Sequence, residues 1–184
     1  MFFKSTLVSM KDVLQYLNVK RGMRVADFGC GRTAHVALPL AAAVGTGGLV
    51  YAVDIAKKHL ETHKNFCAMH GVSHVDHVWG DYERKGGVKI GDGSLDYVFL
   101  VNNLSSTLAK EQLAHEIKRL LHDEGRLVVV DWRRNIAHPV APPSRSRMNL
   151  HDASLLFTRL GFVPTNDFQV SASHWGLEMR KAKS

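Results

Sequence analysis

The chain has 184 residues, 45% of them hydrophobic, and a formal net charge of +7 with a pI near 9.6. This length is enough for one well-buried core and too short for two ordinary domains. The basic residues are scattered along the chain rather than clustered. The charge therefore permits anionic partners but indicates no dedicated nucleic-acid surface.

Two cysteines, Cys30 and Cys67, give neither a disulfide framework nor a metal-ligand pair, so a reducing compartment is the default expectation. Residues 1–10 contain one Lys and no apolar run long enough for a signal peptide. No run of about 18 apolar residues occurs anywhere, which predicts no membrane span. We therefore expect a soluble, cytoplasmic protein with no membrane partner.

Helical and strand patterns alternate along most of the chain. Helices are predicted at residues 9–17, 34–44, 56–70, 107–122 and 150–160. Strands are predicted at residues 24–28, 49–54, 75–79, 94–101 and 125–132, followed by a pair at 162–170 and 174–180. Alternating units require right-handed crossovers and a parallel sheet, whereas strands without an intervening helix must be antiparallel. The sequence therefore predicts an α/β, Rossmann-like, mostly parallel seven-stranded sheet with an antiparallel C-terminal strand pair.

The segment from Asp27 to Gly31 joins the first strand to the first crossover helix. A strand that ends at two glycines lets the backbone turn tightly, and the helix that follows offers free N–H groups and a positive dipole end to an anionic group. In an open α/β sheet the ligand crevice lies outside the carboxyl ends of the strands. We therefore expect a cofactor cradle at this segment.

The glycine spacing alone leaves two classes of cofactor open. Gly29-x-Gly31-x-x-Ala34, with Asp54 about 20 residues later, fits the dinucleotide fingerprint. A dinucleotide usually needs an apolar residue at the position of Asp27 so that the pyrophosphate can approach, whereas a carboxylate suits a ligand with a cationic amine. Asp27 therefore favours a cofactor that carries an amine.

Residues 23–54 resemble the first two motifs of the class I S-adenosylmethionine-dependent methyltransferases, D/E-x-G-x-G-x-G followed by an acid at the end of the second strand. Thr33 replaces the third glycine of that pattern. The order of elements is similar to that of the whole family domain over residues 9–181, and we expect residues 1–184 to form a single domain of this class. The resemblance implies an enzyme with S-adenosylmethionine as its cofactor.

The resemblance also implies a set of cofactor-binding residues. These are Asp27, Gly29, Cys30, Gly31, Asp54, Ile55, Gly80, Asp81, Tyr82 and Asn102. In the family an acid at the position of Asp81 faces the adenine amine and the next residue, Tyr82, lies against the ring, while Asp54 is expected to bind the ribose hydroxyls. Each has a simpler alternative: Asp54 as a helix cap, Asp81 as a turn cap and Asn102 as part of a plain turn.

Methyl transfer from a sulfonium is an in-line displacement, so the protein mainly aligns donor and acceptor, and no catalytic residue is assigned. A base is needed only if the acceptor keeps a proton; His138, His151 and His174 are candidates. Metal assistance would need ligands at the ends of the fourth and fifth strands. Asn103 and Asp131 with their neighbours form only a thin set there, so no metal is expected.

Residues 133–148 form a polar, proline-bearing loop after the fifth strand. A loop of this length is usually functional or disordered. We expect it to be a mobile cover over the acceptor pocket, and a solvated, disordered loop is the alternative. Four of its side chains are predicted to meet an anionic acceptor: Arg133, Arg134, Arg145 and Arg147.

Two other functions remain open from the sequence. A nicotinamide-dependent oxidoreductase shares the glycine pattern but leaves Asp27 and Asp81 unexplained. An RNA- or protein-directed methyltransferase-like binding module would use the basic surface. No D/N-P-P-Y/F/W motif follows the fourth strand, however, where the chain reads Asn102-Asn103-Leu104-Ser105. A small-molecule acceptor is therefore expected.

Overall fold

A computed structural model of the chain describes residues 8–182, and the prediction about a signal peptide falls largely on residues 1–7, outside that range. Seven strands form one sheet. They are β1 (Arg24–Phe28), β2 (Leu49–Asp54), β3 (Val75–Trp79), β4 (Leu95–Val101), β5 (Leu121–Trp132), β6 (Phe162–Gln169) and β7 (His174–Lys181). Their order across the sheet is β3-β2-β1-β4-β5-β7-β6.

The first five strands pair in parallel, and β7 runs antiparallel to both β5 and β6. This arrangement confirms the predicted mostly parallel, seven-stranded sheet with an antiparallel C-terminal pair. The bounds of β1, β2 and β3 are those predicted, whereas β5 begins at Leu121, directly after a helix, rather than at residue 125. The added residues pair irregularly, since the β4–β5 register shifts between Leu95 and Tyr97.

Residues 8–182 contain five α-helices, the first of which precedes β1. They are α1 (Met10–Leu14), α2 (Ala37–Val44), α3 (Lys57–Met69), α4 (Lys110–Leu120) and α5 (Leu150–Arg159). Ser9 caps α1 by accepting a hydrogen bond from the backbone of Asp12, as its sequence position predicts. Asn149 caps α5 in the same way through Asp152, at 2.8 Å. Within residues 8–182, none of these helices is long and apolar enough to cross a membrane.

The helix after β1 begins later than its composition predicts. Its first residue is Ala37 rather than Ala34, because Ala34 has a φ of 49°, outside the right-handed helical region. Residues 29–36 therefore form a loop. The prediction that a helix N-terminus directly follows the glycine pair is wrong.

Alternate residues of the central strands bury two hydrophobic layers, one on each face of the sheet. In β4, Phe99 packs with residues of α2 such as Leu40, whereas Leu100 packs on the other face with Leu113 and Phe157 of α4 and α5. Full burial of each such side chain contributes about 1.5–3 kcal/mol. The two layers hold the strands rigidly, so that the loops at their carboxyl ends are held in fixed relative positions.

Candidate functional site

The predicted cofactor residues come together at one edge of the sheet. Asp27 lies one residue before the end of β1, Asp54 is the last residue of β2, and Asn102 follows β4. The strands β2 and β4 flank β1 on opposite sides. A parallel sheet opens a ligand crevice at such a point, outside the carboxyl ends of its strands.

Asn103 fixes the start of the loop after β1. Gly29 has a φ of 73°, a left-handed conformation that costs a residue with a side chain roughly 1–2 kcal/mol. The Asn103 Nδ2 atom donates to the carbonyls of Phe28 at 2.8 Å and Gly29 at 3.1 Å. A Cβ on Gly29 would lie 2.6 Å from the Asn103 side chain. Asn103 therefore joins the ends of β1 and β4, a role that sequence reasoning missed.

Asp54 holds the second glycine of the loop. Its Oδ2 atom accepts a hydrogen bond from the backbone of Gly31 at 3.0 Å, and Oδ1 accepts one from the backbone of Ala56 at 2.8 Å. The Nδ1 atom of His59 lies 3.3 Å from Oδ2. Asp54 thus orders the turn that leads into α3, and its carboxylate oxygens retain lone pairs for a further donor. Its ribose role stays a prediction.

Two buried acceptor atoms lie without partners at the ends of β1 and β4. Asp27 is 1% exposed, and within residues 8–182 neither its Oδ2 atom nor the Oδ1 atom of Asn102 has a hydrogen-bond partner. Asn102 also has a φ of 59°, a strained conformation of the kind that clusters at ligand sites. An unsatisfied buried polar group costs about 1–3 kcal/mol. A ligand with N–H donors would satisfy both atoms.

The charge state of Asp27 strengthens this conclusion. Burial, with a further contribution from Asp54, raises the pKa of Asp27 to about 8. The two carboxyl groups therefore make a site that favours positive charge and disfavours a second anion. Open space lies beside this pair, since no atom of residues 8–182 stands within 4 Å of a Cβ built on Gly31, whose φ is 63°.

The Cys30 thiol is turned into the core. Its side chain packs in the same buried layer as Leu40 of α2 and is 2% exposed. Burial raises the pKa of the Cys30 thiol above its usual range, and the nearby Asp27 raises it further. The thiol is thus unreactive, and any contact of Cys30 with a ligand falls to its backbone.

The residues after β3 form a tight turn. The Oδ1 atom of Asp81 accepts from the backbone of Glu83 at 2.9 Å, which is the predicted turn-cap alternative. The ring of Tyr82 stacks on Phe28, with centroids 5.2 Å apart and planes 12° apart. A Cβ on Gly80 would lie 2.9 Å from a backbone oxygen of the same turn. Adenine contacts of Asp81 and Tyr82 stay predictions.

Ile55 and Trp79 form an exposed apolar surface at the ends of β2 and β3. Their exposed fractions are 59% and 55%, and the Trp79 indole donates to the carbonyl of Ile55 at 2.8 Å. Exposed large apolar groups beside a crevice often mark a ligand surface. The sequence analysis predicted Ile55 as a cofactor residue and missed Trp79. The position of Trp79 as the last residue of β3 was the signal that could have placed it at the ligand edge.

Asp131, near the end of β5, and His174, at the start of the neighbouring strand β7, are both buried. Asp131 accepts hydrogen bonds from the hydroxyl of Ser105 at 2.8 Å and its backbone at 3.1 Å, so its carboxylate holds the loop after β4. The His174 ring lies against Trp132, with centroids 4.2 Å apart. Burial and the neighbouring His138 lower the pKa of His174 to about 4. His174 is therefore neutral and a weak base at pH 7.

Arg147 organises the loop after β5. It is 7% exposed, and its guanidinium donates to the carbonyls of Ile136 at 2.6 Å, Arg133 at 3.3 Å and also Pro142. The Cζ atom lies 5.9 Å from the Trp132 ring centroid. The prediction that Arg147 is free to meet an acceptor is therefore wrong, because its donors are engaged with the loop's own backbone.

Two cavities border this loop. One of about 400 Å³ lies between the loop and the segment leading into α4, and its lining includes Ser105, Lys110, Arg134 and Arg145. The other, of about 690 Å³, lies between the loop, the start of α5 and the end of β6. The smaller cavity is the more basic and adjoins the residues that follow Asn102.

Sequence comparison identifies relatives of this chain. Residues 19–156 match the model of a family described as methyltransferase domain. The demethylmenaquinone methyltransferase of Anoxybacillus flavithermus is 28% identical over 129 residues, which are 70% of this chain and 53% of that protein. The nocamycin O-methyltransferase of Saccharothrix syringae is 29% identical over 136 residues, 73% of this chain and 44% of that protein. The chain spans about half the length of these curated relatives.

Solved structures share the fold. A SAM dependent methyltransferase from Aquifex aeolicus has a TM-score of 0.87 at 20% identity and covers 96% of this chain and 91% of its own. The [4+2]-cyclase SpnF has a TM-score of 0.77 at 18% identity and covers 95% and 81%. Identities this low show the fold alone. Because the family model matches most of the sequence, the chain belongs to the methyltransferase-domain family, the class I S-adenosylmethionine-dependent methyltransferases.

Proposed function

We propose that the protein is an S-adenosylmethionine-dependent methyltransferase that acts on a small molecule. The observation that carries this proposal is a pair of buried acceptors, Asp27 Oδ2 and Asn102 Oδ1, which lie at the ends of adjacent strands and have no partner among residues 8–182. The methionine end of the cofactor has an ammonium group whose N–H donors would satisfy such acceptors.

The chain's residues fit the rest of the cofactor by type. Asp54 retains acceptor capacity for the ribose hydroxyls, and Asp81 for the adenine amine. Ile55 and Trp79 offer apolar surface beside Asp54 for the adenine ring. When bound, the cofactor supplies a methyl group on a sulfonium centre. The protein's part is to hold donor and acceptor in line and to exclude water.

The same charges argue against a nicotinamide dinucleotide. A pyrophosphate would have to approach the loop after β1 with Asp27 and Asp54 both nearby and both buried. Burial and the neighbouring Asp54 already raise the pKa of Asp27 to about 8, so a further negative charge at that position is unfavourable in this low-dielectric site. The same two carboxyl groups favour a cofactor that carries the positive charges of an ammonium and a sulfonium.

For the methyl acceptor, we propose a small anionic molecule bound in the 400 Å³ cavity. Lys110, Arg134 and Arg145 line it, and Arg134 and Arg145 are exposed side chains. Guanidinium groups bind carboxylates and phosphates through paired hydrogen bonds. The relatives' names, demethylmenaquinone and nocamycin methyltransferases, support a small-molecule acceptor in general.

A cytoplasmic location and a single domain belong to the same proposal. Both cysteines are buried free thiols, as is usual in a reducing compartment. One sheet contains every strand among residues 8–182, and helices cover both of its faces, as a single domain would require.

Calorimetry tests the proposal. S-adenosylhomocysteine should bind to the wild-type chain at micromolar concentrations, and NADH should not. Asp27→Asn should bind S-adenosylhomocysteine more weakly by roughly 1.5–3 kcal/mol, the contribution of a hydrogen bond to a charged group. Asp123→Asn, which changes a carboxylate that is 94% exposed, is the matched control and should bind like the wild type. Binding of NADH alone would refute the proposal.

A further inference from the structure

A second cluster of polar side chains lies away from the cofactor crevice, between α3 and β3. It consists of His63, Cys67 and His77, each of which offers one ligand atom, and these three atoms all lie within 4.8 Å of one another. His63 and Cys67 stand four residues apart on one face of α3, and His77 projects from the adjacent edge strand β3. The cluster is made by the packing of this helix against its strand.

The distances within the cluster are close to those of a metal site. Zn–N bonds of about 2.0–2.1 Å, a Zn–S bond of about 2.3 Å and tetrahedral angles place two ligand nitrogens about 3.3 Å apart, and a nitrogen and a sulfur about 3.6 Å apart. The observed His63 Nδ1 to Cys67 Sγ distance is 3.6 Å. The His63 Nδ1 to His77 Nε2 distance is 2.9 Å, so a small movement of the His77 ring would admit the ion.

The burial of His63 and Cys67 argues against a purely structural role for the cluster. His63 is 0% exposed and Cys67 is 2% exposed, while His77 is partly exposed. Within residues 8–182 the Nε2 atom of His63 has no hydrogen-bond partner, so contacts inside the cluster do not satisfy the ring.

We propose that His63, Cys67 and His77 form a binding site for Zn²⁺. Two imidazoles and one thiolate are ligands that Zn²⁺ accepts and that Mg²⁺ and Ca²⁺ do not prefer. The partly exposed side of His77 leaves access for a water molecule as the fourth ligand. Binding replaces the S–H bond of Cys67 with an S–Zn bond and releases one proton to solvent.

A bound ion would connect α3 to β3. Because α3 begins just after Asp54, this connection would stiffen the helix whose first turn adjoins the cofactor loop. The site is separate from the methyl-transfer machinery, since Asp27, Asp54, Asp81 and Asn102 supply no atom to it.

Metal titration of the full chain, freed of any polyhistidine tag, tests this proposal. Wild-type protein should take up one Zn²⁺ per chain in competition with a chromophoric chelator. With Co²⁺ as the probe it should show a thiolate-to-cobalt charge-transfer band. Cys67→Ser should lose that band, and both Cys67→Ser and His77→Gln should bind Zn²⁺ more than about tenfold more weakly, since loss of even an outer contact has that effect.

His70→Gln is the matched control. His70 lies just beyond the C-terminal end of the same helix, and its ring bonds to the backbone of Phe66 rather than to the cluster. This variant should bind Zn²⁺ and Co²⁺ like the wild type. If Cys67→Ser failed to fold, the wild-type cobalt spectrum and the partly exposed His77→Gln variant would still decide the question. A wild-type spectrum without a thiolate band, or unchanged affinity in His77→Gln, would overturn the proposal.

Discussion

The backbone N–H of Gly31 donates to the Oδ2 atom of Asp54 at 3.0 Å, across the gap between β1 and β2. The other oxygen of the same carboxylate accepts a hydrogen bond from the N–H of Ala56, one residue before α3 begins at Lys57. One side chain therefore sets the position of the glycine loop relative to the next helix. These two backbone contacts and the predicted contact with a cofactor can use different lone pairs of the carboxylate, so the two roles are compatible.

Asp54→Ala should consequently lower both stability and cofactor affinity. Loss of the two backbone contacts should cost about 1–2 kcal/mol of unfolding free energy. Affinity for S-adenosylhomocysteine, measured calorimetrically well below the melting temperature, should fall by about tenfold or more. Asp54→Asn, which keeps one acceptor oxygen, should recover part of the stability. An unchanged affinity in Asp54→Ala would leave the residue with a structural role only.

Asp27 should make the stability of the ligand-free protein depend on pH. Its pKa is raised from 3.8 to about 8 in the folded chain. The stabilising contribution of the protonated form is complete below about pH 3.8 and is lost as the pH rises through about 8. Asp27→Asn should therefore gain stability relative to the wild type between these values, by at most about 1.4 kcal/mol per pH unit. Urea denaturation of both proteins at several pH values measures this difference.

Cofactor binding should release a proton at neutral pH. A cationic ammonium stabilises the ionised form of Asp27, so the bound state should lower the pKa of this carboxyl from about 8. Affinity for S-adenosylhomocysteine should rise between pH 6 and pH 8 by up to about tenfold per unit. Calorimetry in two buffers of different ionisation enthalpy counts the proton. Asp27→Asn should release none, and equal proton release by both proteins would contradict the assignment.

The two glycines of the loop should respond differently to alanine. In Gly29→Ala the new Cβ would meet Asn103 at 2.6 Å, so this variant should lose several kcal/mol of stability. In Gly31→Ala the new Cβ would have no neighbour within 4 Å in the described part of the chain, so the left-handed φ alone should cost about 1–2 kcal/mol. Gly31→Ala should therefore stay folded and lose cofactor affinity. Thermal melts with calorimetry distinguish them, and equal destabilisation of both would contradict the prediction.

Alanine variants of Arg145 and Arg147 should distinguish acceptor binding from the structural order of the loop at residues 133–148. Arg147→Ala removes the donor to four backbone carbonyls and should raise the rate of proteolysis within residues 133–148. Arg145→Ala leaves those bonds in place and should reduce only the turnover of an anionic acceptor. Limited proteolysis followed by mass spectrometry measures the first effect. Equal protection of the loop in the wild type and in Arg147→Ala would contradict it.

Sequence pattern predicted the sheet well because the central strands are covered on both faces. β4 contains a continuous apolar run, and β1 and β2 contain short apolar runs. Runs of this kind are typical of parallel strands that are buried on both faces. The predicted start of α2 was wrong because Ala34, a strong helix former, is buried in the left-handed conformation. Local propensity carries no signal of such a constraint.

Positions at strand ends could be predicted, but partners could not. Asp27 and Asp54 were found because any acid at the end of a parallel strand lies at the ligand edge. The bonds of Asn103 and Arg147 go to backbone carbonyls, which every residue possesses, so the sequence does not reveal them. His63 and His77 likewise meet only after α3 packs on β3. The spacing of the two cysteines gave no hint of that cluster.

The unpaired acceptors of Asp27 and Asn102 would bias any laboratory evolution of this protein. Selection for heat resistance without ligand should enrich apolar replacements at both positions, because each removes a desolvation penalty from the empty protein. Such variants would survive heating but would lose the two acceptors that are proposed to bind the cofactor. A search for robust catalysts on this scaffold should therefore be run with the ligand present throughout.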